Sequence, residues 1–339
     1  MAGLNQKRIE KWDILKFLLI SLVVFGHVLE FYMGGSEKLR SIFVFIYTFH
    51  MPVFIFISGM FSRKNINEGQ YNKFFSYLVL YFFIKILHSV SRALIYKSYG
   101  LSLFHEGGAP WYALALFAFC FITAALKNFS PKYIFIASVI LACFAGYDTS
   151  LTNFLAIPRL IVFYPFFYAG YCLEPSKVEK ALSGKYIRIA SVFILAVFAA
   201  VIFINKSQIN DLLPLLSGKH SFSFLEDDFP FGGLYRLGYY IVAFLIGSAV
   251  IAIIPNKIGN GFVAKLGSRS LQIYSLHYVV LEIIIDVLHA DVWFAKIFPD
   301  WHPKLIIFPI TFIAIFVCSL KFWQPIMNVI LKPKVIIKK

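Results

Sequence analysis

Long apolar runs recur from one end of the chain to the other, and short segments rich in charged residues, glycine and proline separate them. A helix of roughly 20 residues crosses the hydrocarbon core of a bilayer, which is about 30 Å thick. If each run forms one helix, the sequence predicts ten helices, at 14–32, 41–61, 74–96, 111–126, 133–147, 160–173, 187–204, 233–254, 271–289 and 303–323. The pattern therefore predicts an all-α, polytopic integral protein of the cell membrane with about ten transmembrane helices.

The composition agrees with this pattern. Hydrophobic residues make up 60% of the 339 residues and charged residues 14%, against roughly 45–50% and 25% in soluble domains. The formal net charge is +15, and such an excess of basic residues is also typical of nucleic-acid-binding proteins. The mean hydropathy of +0.76 argues against that class. The four cysteines lack the paired spacing of a metal site or a disulfide framework. We therefore expect neither a metal nor a nucleic acid as a partner.

Lysines and arginines concentrate in alternate connecting segments, including those at both ends of the chain. Because basic segments tend to stay on the cytoplasmic side, both termini are predicted to be cytoplasmic. This orientation makes 205–232, the longest segment between apolar runs, an extracytoplasmic loop. Loops of that length are often functional, although a solvated connector fits the composition equally well. No polar linker divides the chain, so we expect one membrane-embedded domain over 1–339 with no appended soluble domain.

Ionisable side chains inside a span are costly unless they are paired or face water, so each one is a candidate functional residue. Lys16 and His27 fall in the first predicted helix, eleven positions apart. At about 100° and 1.5 Å per residue they lie on one face, roughly 16 Å apart along the axis. Asp13 lies one turn before Lys16 and can pair with it.

A second histidine, His50, falls in the second predicted helix, within the segment FHMPVFIFISG at 49–59. The rise of a helix places His50 about 12 Å and His27 about 7 Å from the outer ends of their helices, so the two rings approach one level. Either histidine alone is equally consistent with a simple hydrogen bond between helices. Two of them at similar depth favour a functional site.

Five segments carry a family resemblance: 12–27, which holds Lys16 and His27; 49–59, which holds His50; PWYAL at 110–114; Arg159 with YPFFYAGY at 164–171; and LGSRSLQIYSLH at 266–277. In this order they resemble the motifs of the membrane acyltransferase-3 family. The match is closest to its branch of fucose 4-O-acetylase-like proteins and other polysaccharide O-acetyltransferases. The resemblance covers nearly the whole chain, and its first two motifs are the more specific ones.

The resemblance implies an O-acyltransferase, an enzyme that moves an acetyl group from cytoplasmic acetyl-CoA to a hydroxyl of an extracytoplasmic or lipid-linked polysaccharide. It makes His27 the candidate catalytic residue and places Lys16 at a basic position that many members fill with arginine. A neutral histidine can accept the proton of a sugar hydroxyl as that hydroxyl attacks the thioester. His50 would assist by hydrogen bonding or proton transfer.

Three basic residues at the inner ends of the first two helices, Lys16, Arg63 and Lys64, are the candidates for binding the phosphates of acetyl-CoA. Lysine binds phosphate as a point charge, without the two parallel hydrogen bonds of arginine. The roughly 16 Å between Lys16 and His27 is comparable with the length of a pantetheine arm. Asp13 and His277 are expected to support the site structurally.

Three further residues are candidates for contact with the substrate. Arg159 can bind acceptor hydroxyls or stabilise the thioester oxyanion, or its side chain can instead extend to lipid headgroups. Trp111 can stack on a sugar ring or on the adenine, although tryptophan at the end of a span is more often an interfacial anchor. Lys85 falls near the middle of the third helix and is expected to line a polar cavity.

Two alternatives stay open. A transporter or exporter of polysaccharides or small molecules would use the same intramembrane charges as substrate or proton sites, and the absence of an evident inverted repeat counts against it. An O-succinyltransferase would keep the fold and change the acyl group. The expected partners are membrane lipid and a carbohydrate acceptor, while the sequence leaves the acceptor sugar and the oligomeric state undetermined.

Overall fold

The structure is a computed structural model that describes residues 10–106, 108–151, 153–259 and 261–332. Helices make up nearly all of the secondary structure in these ranges, and the β-bridge found there joins His105 and Phe154. The predicted domain, 1–339, extends beyond the described residues at both ends.

Helices occur at each of the ten predicted positions. The first half of the chain forms α1 (Glu10–Tyr32), α2 (Glu37–Asn67), α3 (Tyr71–Tyr96), α4 (Trp111–Leu126), α5 (Pro131–Ala145), α6 (Ile157–Cys172) and α7 (Pro175–Leu182). The second half forms α8 (Lys185–Ile204), α9 (Lys206–Asn210), α10 (Leu213–Ser217), α11 (Gly232–Ile253), α12 (Phe262–Gly267), α13 (Ser270–Glu282), α14 (Ala290–Ile297), α15 (Ile307–Ser319) and α16 (Gln324–Leu331). Shorter 3₁₀ segments lie at Phe222–Phe231, Pro303–Ile306 and Lys321–Trp323, and a π-helical turn at Ile283–Val287 extends α13.

The all-α membrane fold is confirmed. The number of helices that are long and apolar enough to span a membrane is smaller than the ten predicted. Within the described residues six helices meet those criteria, or seven when the bent pair Pro303–Ser319 and Lys321–Leu331 counts as one span. The shortfall includes α4 and α5, which have 16 and 15 residues. At about 1.5 Å per residue they are shorter than a hydrocarbon core of roughly 30 Å. The count of ten spans and the cytoplasmic position of both termini stay predictions.

Helix α1 lies at the centre of the bundle, in contact with α2, α12, α13 and α15. Its side chains Leu15, Leu19, Val24 and Val28 are fully buried. Because a central helix is packed on several sides, its rotation about its own axis is fixed by its neighbours. The polar side chains of α1 are therefore held in set directions.

The segment 205–232 is folded against the bundle. Phe222 is fully buried, and its ring fills the space beside Gly146 and Gly232, where an added Cβ would lie 2.3 and 2.2 Å from ring atoms. Arg236 of α11 is also buried and donates a hydrogen bond from Nη1 to Leu215 O at 2.6 Å. These contacts fix α10 relative to α11.

Helices α2 and α6 approach each other at two glycines. A Cβ atom built on Gly59 would lie 1.9 Å from Phe167 O, and one built on Gly170 would lie 1.9 Å from Phe56 O. Small residues allow such backbone contact between helices in a membrane, where dispersion and close packing drive association. This pair therefore fixes the spacing between the helix that carries His50 and the helix that begins beside Arg159.

We predict that Gly59→Ala lowers the free energy of unfolding by about 3 kcal/mol, because the added methyl group forces the two backbones apart. Thermal unfolding of the purified protein in detergent measures the change. Gly34→Ala is the matched control, since a Cβ there meets no atom within 4 Å. Equal melting temperatures for the two variants would contradict the predicted contact.

Candidate active site

A cavity of about 300 Å³ lies between α1, α2, α4, α6, α13 and the segment that includes α10. Its apolar walls carry a cluster of ionisable and hydroxyl-bearing side chains. These are His27, Glu30, Tyr47, His50, Tyr112, Arg159, Ser217, Lys219, His220, Ser270, Tyr274, His277 and Tyr278. An apolar cavity with a few converging polar groups is typical of a small-molecule site.

His27 is held by a carboxylate on its own helix. Its Nδ1–H donates to Glu30 Oε2 at 2.9 Å, and the hydroxyl of Tyr47 donates to Glu30 Oε1 at 3.4 Å. Because a carboxylate oxygen only accepts, this contact places a proton on Nδ1, and in the neutral imidazole Nε2 is then the proton acceptor. Glu30 was not among the sequence candidates, although its position one turn after His27 was a signal.

His277 and Tyr278 of α13 pack against the His27 ring, with ring centroids 5.2 and 5.7 Å away. His277 is fully buried, and its Nδ1–H donates to Tyr274 O at 2.7 Å. The sequence assigned His277 a supporting position. In the structure its ring is also part of the cavity wall.

His50 reaches the same cavity from α2. It is buried, its Nδ1–H donates to Ile46 O at 2.9 Å, and its ring lies against Tyr47 with centroids 4.5 Å apart. The two histidines singled out in the sequence thus line one cavity. They contact it from neighbouring helices without a hydrogen bond to each other in the structure.

Arg159 and Trp111 form a cation–π pair on the wall, with the guanidinium carbon 5.0 Å from the ring centroid. Both side chains are buried inside the bundle. Trp111 packs against Phe163, so its ring lies in the interior of the bundle and is not placed as an anchor at the membrane interface. Among the described residues, Arg159 Nη1 is buried and makes no hydrogen bond. That donor is available to an oxygen of a ligand.

Two basic residues of the folded segment 205–232, Lys219 and His220, complete the wall. Burial and the neighbouring Arg159 guanidinium lower the pKa of Lys219. The length of this segment was consistent with a functional loop and equally with a solvated connector. Which of its residues approach the helices depends on the packing of Phe222 and Arg236, which is not visible in the sequence.

A second cavity, of about 210 Å³, contains both Lys16 and Asp13. Lys16 Nζ donates to Asp13 Oδ1 at 3.5 Å and lies 4.6 Å from the centroid of the Phe61 ring. The two cavities share four wall residues, Phe54, Tyr112, Ser270 and Leu271. The face of α1 that carries Lys16 and His27 therefore contributes to two adjoining cavities, one at each residue.

The shared wall consists largely of side chains. The rings of Phe54 and Tyr112 lie 5.7 Å apart, and the Tyr112 hydroxyl is 2.8 Å from Ser58 Oγ. Tyr274 supports this region because its hydroxyl donates to Ala109 O at 2.6 Å. At this wall the two cavities are therefore separated by side chains.

A profile of the family described as acyltransferase domain matches residues 9–323. The chain belongs to the acyltransferase-3 family. Its long apolar helices agree with the multi-pass membrane localisation of this acyltransferase family. No solved structure shows significant similarity to the chain.

Two curated relatives are the nodulation protein NolL of Mesorhizobium japonicum and that of Sinorhizobium fredii. The first is 29% identical over 222 residues, which cover 60% of this chain and 58% of the relative. The second is 28% identical over 199 residues, which cover 53% of this chain and 52% of the relative. The chain thus spans little more than half the length of the curated relatives it matches.

Three candidate residues of this acyltransferase-3 protein line neither cavity. Arg63 pairs with Glu174 at 3.2 Å, and Lys64 is exposed and lies 3.9 Å from Glu68. Lys85, expected to line a polar cavity, forms an ion pair with Glu106 at 2.6 Å. The Lys85 ammonium also donates to His105 O at 3.0 Å, which fastens the α3–α4 connection to α3. A buried charge needs a counter-ion, and here that connection supplies it.

We predict that Lys85→Met destabilises the protein by about 3–5 kcal/mol, because Glu106 is left as a buried charge without its partner. Glu106 is 1% exposed. The double variant Lys85→Met with Glu106→Leu should recover much of the loss. Melting temperature and activity per folded molecule are the two measurements. A variant that melts like the parent but binds acceptor more weakly would instead assign Lys85 a substrate contact.

Proposed function

We propose that the protein is a membrane O-acyltransferase that moves an acetyl group from cytoplasmic acetyl-CoA to a hydroxyl of an extracytoplasmic or lipid-linked polysaccharide. His27 is the general base. The observation that carries the proposal is the His27–Glu30 pair in a cavity that adjoins the Lys16 cavity through one wall of side chains. Family membership supports the reaction class.

The reaction begins when a sugar hydroxyl binds at His27 Nε2. As the oxygen attacks the thioester carbonyl, Nε2 accepts the hydroxyl proton, and the Glu30 carboxylate stabilises the imidazolium through Nδ1–H. Collapse of the tetrahedral intermediate breaks the carbon–sulfur bond. The imidazolium returns its proton to the departing sulfur, so the products are the sugar ester and CoA thiol, and His27 is neutral again.

The thioester reaches His27 from the Lys16 cavity. The helical rise between the two residues is roughly 16 Å, comparable with a pantetheine arm, so the phosphates can stay beside Lys16 while the acetyl group enters the larger cavity. The Phe54 and Tyr112 side chains rotate to admit it. Arg63 and Lys64 line neither of the two cavities and form ion pairs of their own.

Charge that develops on the thioester oxygen needs a donor held in place before the reaction. Arg159 Nη1 is such a donor, since it is buried and makes no hydrogen bond in the described part of the chain. Trp111 holds the guanidinium from one side and offers a flat apolar surface to a sugar ring. His50 assists by hydrogen bonding, through the Nε2 atom that its bond to Ile46 leaves available.

We expect His27→Ala to lower acetyl transfer by about 100-fold or more, the usual contribution of a general base. Glu30→Gln should cost about tenfold, because it replaces a charge-assisted hydrogen bond worth about 1.5–3 kcal/mol. Glu37→Gln is the matched control, since that carboxylate pairs with Lys206 on the exterior. The assay follows acetyl-CoA consumption and product mass with purified protein and glycans from cells that lack it.

Unchanged turnover in His27→Ala would refute the assignment of the base. The mass of the product also decides between acetyl and succinyl transfer. Accumulation of an untransformed solute in vesicles, without consumption of CoA, would show a transporter instead.

We also expect Lys16→Gln to raise the KM for acetyl-CoA about tenfold with little change in kcat, because the charge contacts the phosphates equally in the ground state and in the transition state. Lys16→Arg should retain most of the affinity. Lys64→Gln is the comparison, since its side chain is 74% exposed. A fall in kcat at unchanged KM would place Lys16 in the chemical step.

A further inference from the structure

A third cavity, of about 520 Å³, lies between α2, α8, α11 and the folded segment 205–232. Its wall is almost entirely hydrocarbon, with Val44, Ile202, Leu212, Leu215 and Val242 among the lining residues. We call it the apolar groove. None of the catalytic steps described above uses it.

The apolar groove and the polar cavity of His27 share a wall. Leu216 lines both. Around it, Leu213, Pro214 and Ser217 of α10 face the polar cavity, while Leu212 and Leu215 face the groove. A single short helix, fixed by the bond from Arg236 to Leu215 O, therefore separates a hydrocarbon surface from the candidate catalytic base.

The groove lies beside helices that are long and apolar enough to cross a membrane, and it reaches the outer surface of the bundle. Its residues Val44 and Thr48 are close neighbours on α2 of Tyr47 and His50, so the groove and the polar cavity occupy the same level. Phe231 and Leu234, at the rim, are 56% and 66% exposed. Both α8 and α11 are long and apolar enough to cross a membrane. A hydrocarbon chain can thus enter sideways from the bilayer.

We propose that the apolar groove holds the hydrocarbon chain of a lipid-anchored sugar, and that the sugar passes α10 into the polar cavity as the acceptor. This inference rests on the proposed O-acyltransferase function. The polar cavity, at about 300 Å³, is at the lower end of the range for small-molecule sites, so it takes a single small headgroup. The apolar groove beside it holds the hydrocarbon part of an amphiphilic acceptor.

Burial of the chain supplies no large affinity by itself, because lipid tails are as apolar as the groove. Its effect is positional. A chain seated in the groove keeps the attached headgroup beside His27, which raises the effective concentration of the headgroup at that residue. Acceptors with a chain should therefore have a much lower KM than the same sugar without one.

Photolabelling tests the occupant directly. The probe is a dodecyl maltoside with a diazirine on its chain, added to the full-length protein in phospholipid vesicles, and the comparison is a phospholipid with the same diazirine. We expect the glycoside probe to label α8, α10 and α11 at the groove, in excess of the phospholipid. Equal labelling by both probes shows an ordinary bilayer lipid, and absence of glycoside labelling at the groove also overturns the proposal.

Gly238→Phe supplies the matched variant. Gly238 lines the groove, and a Cβ there meets no atom within 4 Å, so the ring fills the groove without displacing the backbone. It should reduce groove labelling about tenfold, whereas Gly34→Phe, at an equally open glycine outside the groove, should not. Gly238→Leu is a second variant, and melting temperatures check folding.

Activity distinguishes this inference from the proposed function. With lipid-linked glycans as acceptors, Gly238→Phe should raise the KM, and with the same glycans released from their lipid it should leave kcat/KM unchanged. An equal loss for both acceptors overturns the inference. Absence of transfer to either acceptor, with groove labelling intact, refutes the O-acyltransferase function and leaves the groove as a glycolipid site.

Discussion

The hydrogen bond between His27 Nδ1 and the Glu30 carboxylate is the interaction on which the proposed chemistry depends. It joins two residues one turn apart on α1, and α1 is packed on several sides, so the pair is directed into the cavity by the whole bundle. The negative carboxylate stabilises the positive imidazolium that forms beside it. One contact therefore sets the tautomer, the direction of Nε2 and the fate of the transferred proton.

The interior contains two separate polar cavities, and α1 contributes to both of them. Lys16 and His27 lie on one face of α1, and between them the Phe54 and Tyr112 side chains separate two cavities. In the proposed acyl transfer, a wall of this kind would have two effects. It keeps water from the thioester until the acceptor is bound, and it lets a slender acyl group pass without opening a continuous channel.

The sequence predicted the helices well because each is a long apolar run with polar ends. It also indicated the convergence of His27 and His50, since adjacent helices of a hairpin place residues of similar depth close together. Glu30 was visible one turn after His27 but was not selected. The partner of Lys85 could not be predicted from the sequence, because Glu106 lies in a loop whose path depends on tertiary packing. Lys219 is a similar case, since the burial of Phe222 between two glycines holds its segment over the cavity.

The segment that begins after α8 shows how a connection can determine what a membrane site accepts. A mobile loop would leave this side of the polar cavity open to any soluble sugar. Here Phe222 and Arg236 fix α10 as a partition with a polar side and a hydrocarbon side. The partition is as thick as one short helix. A molecule that contacts both sides must therefore carry its polar part and its hydrocarbon part about that distance apart. If the groove holds the hydrocarbon chain of the acceptor as proposed, the fold selects an acceptor by the spacing between its hydroxyls and its hydrocarbon, in addition to the identity of its sugar.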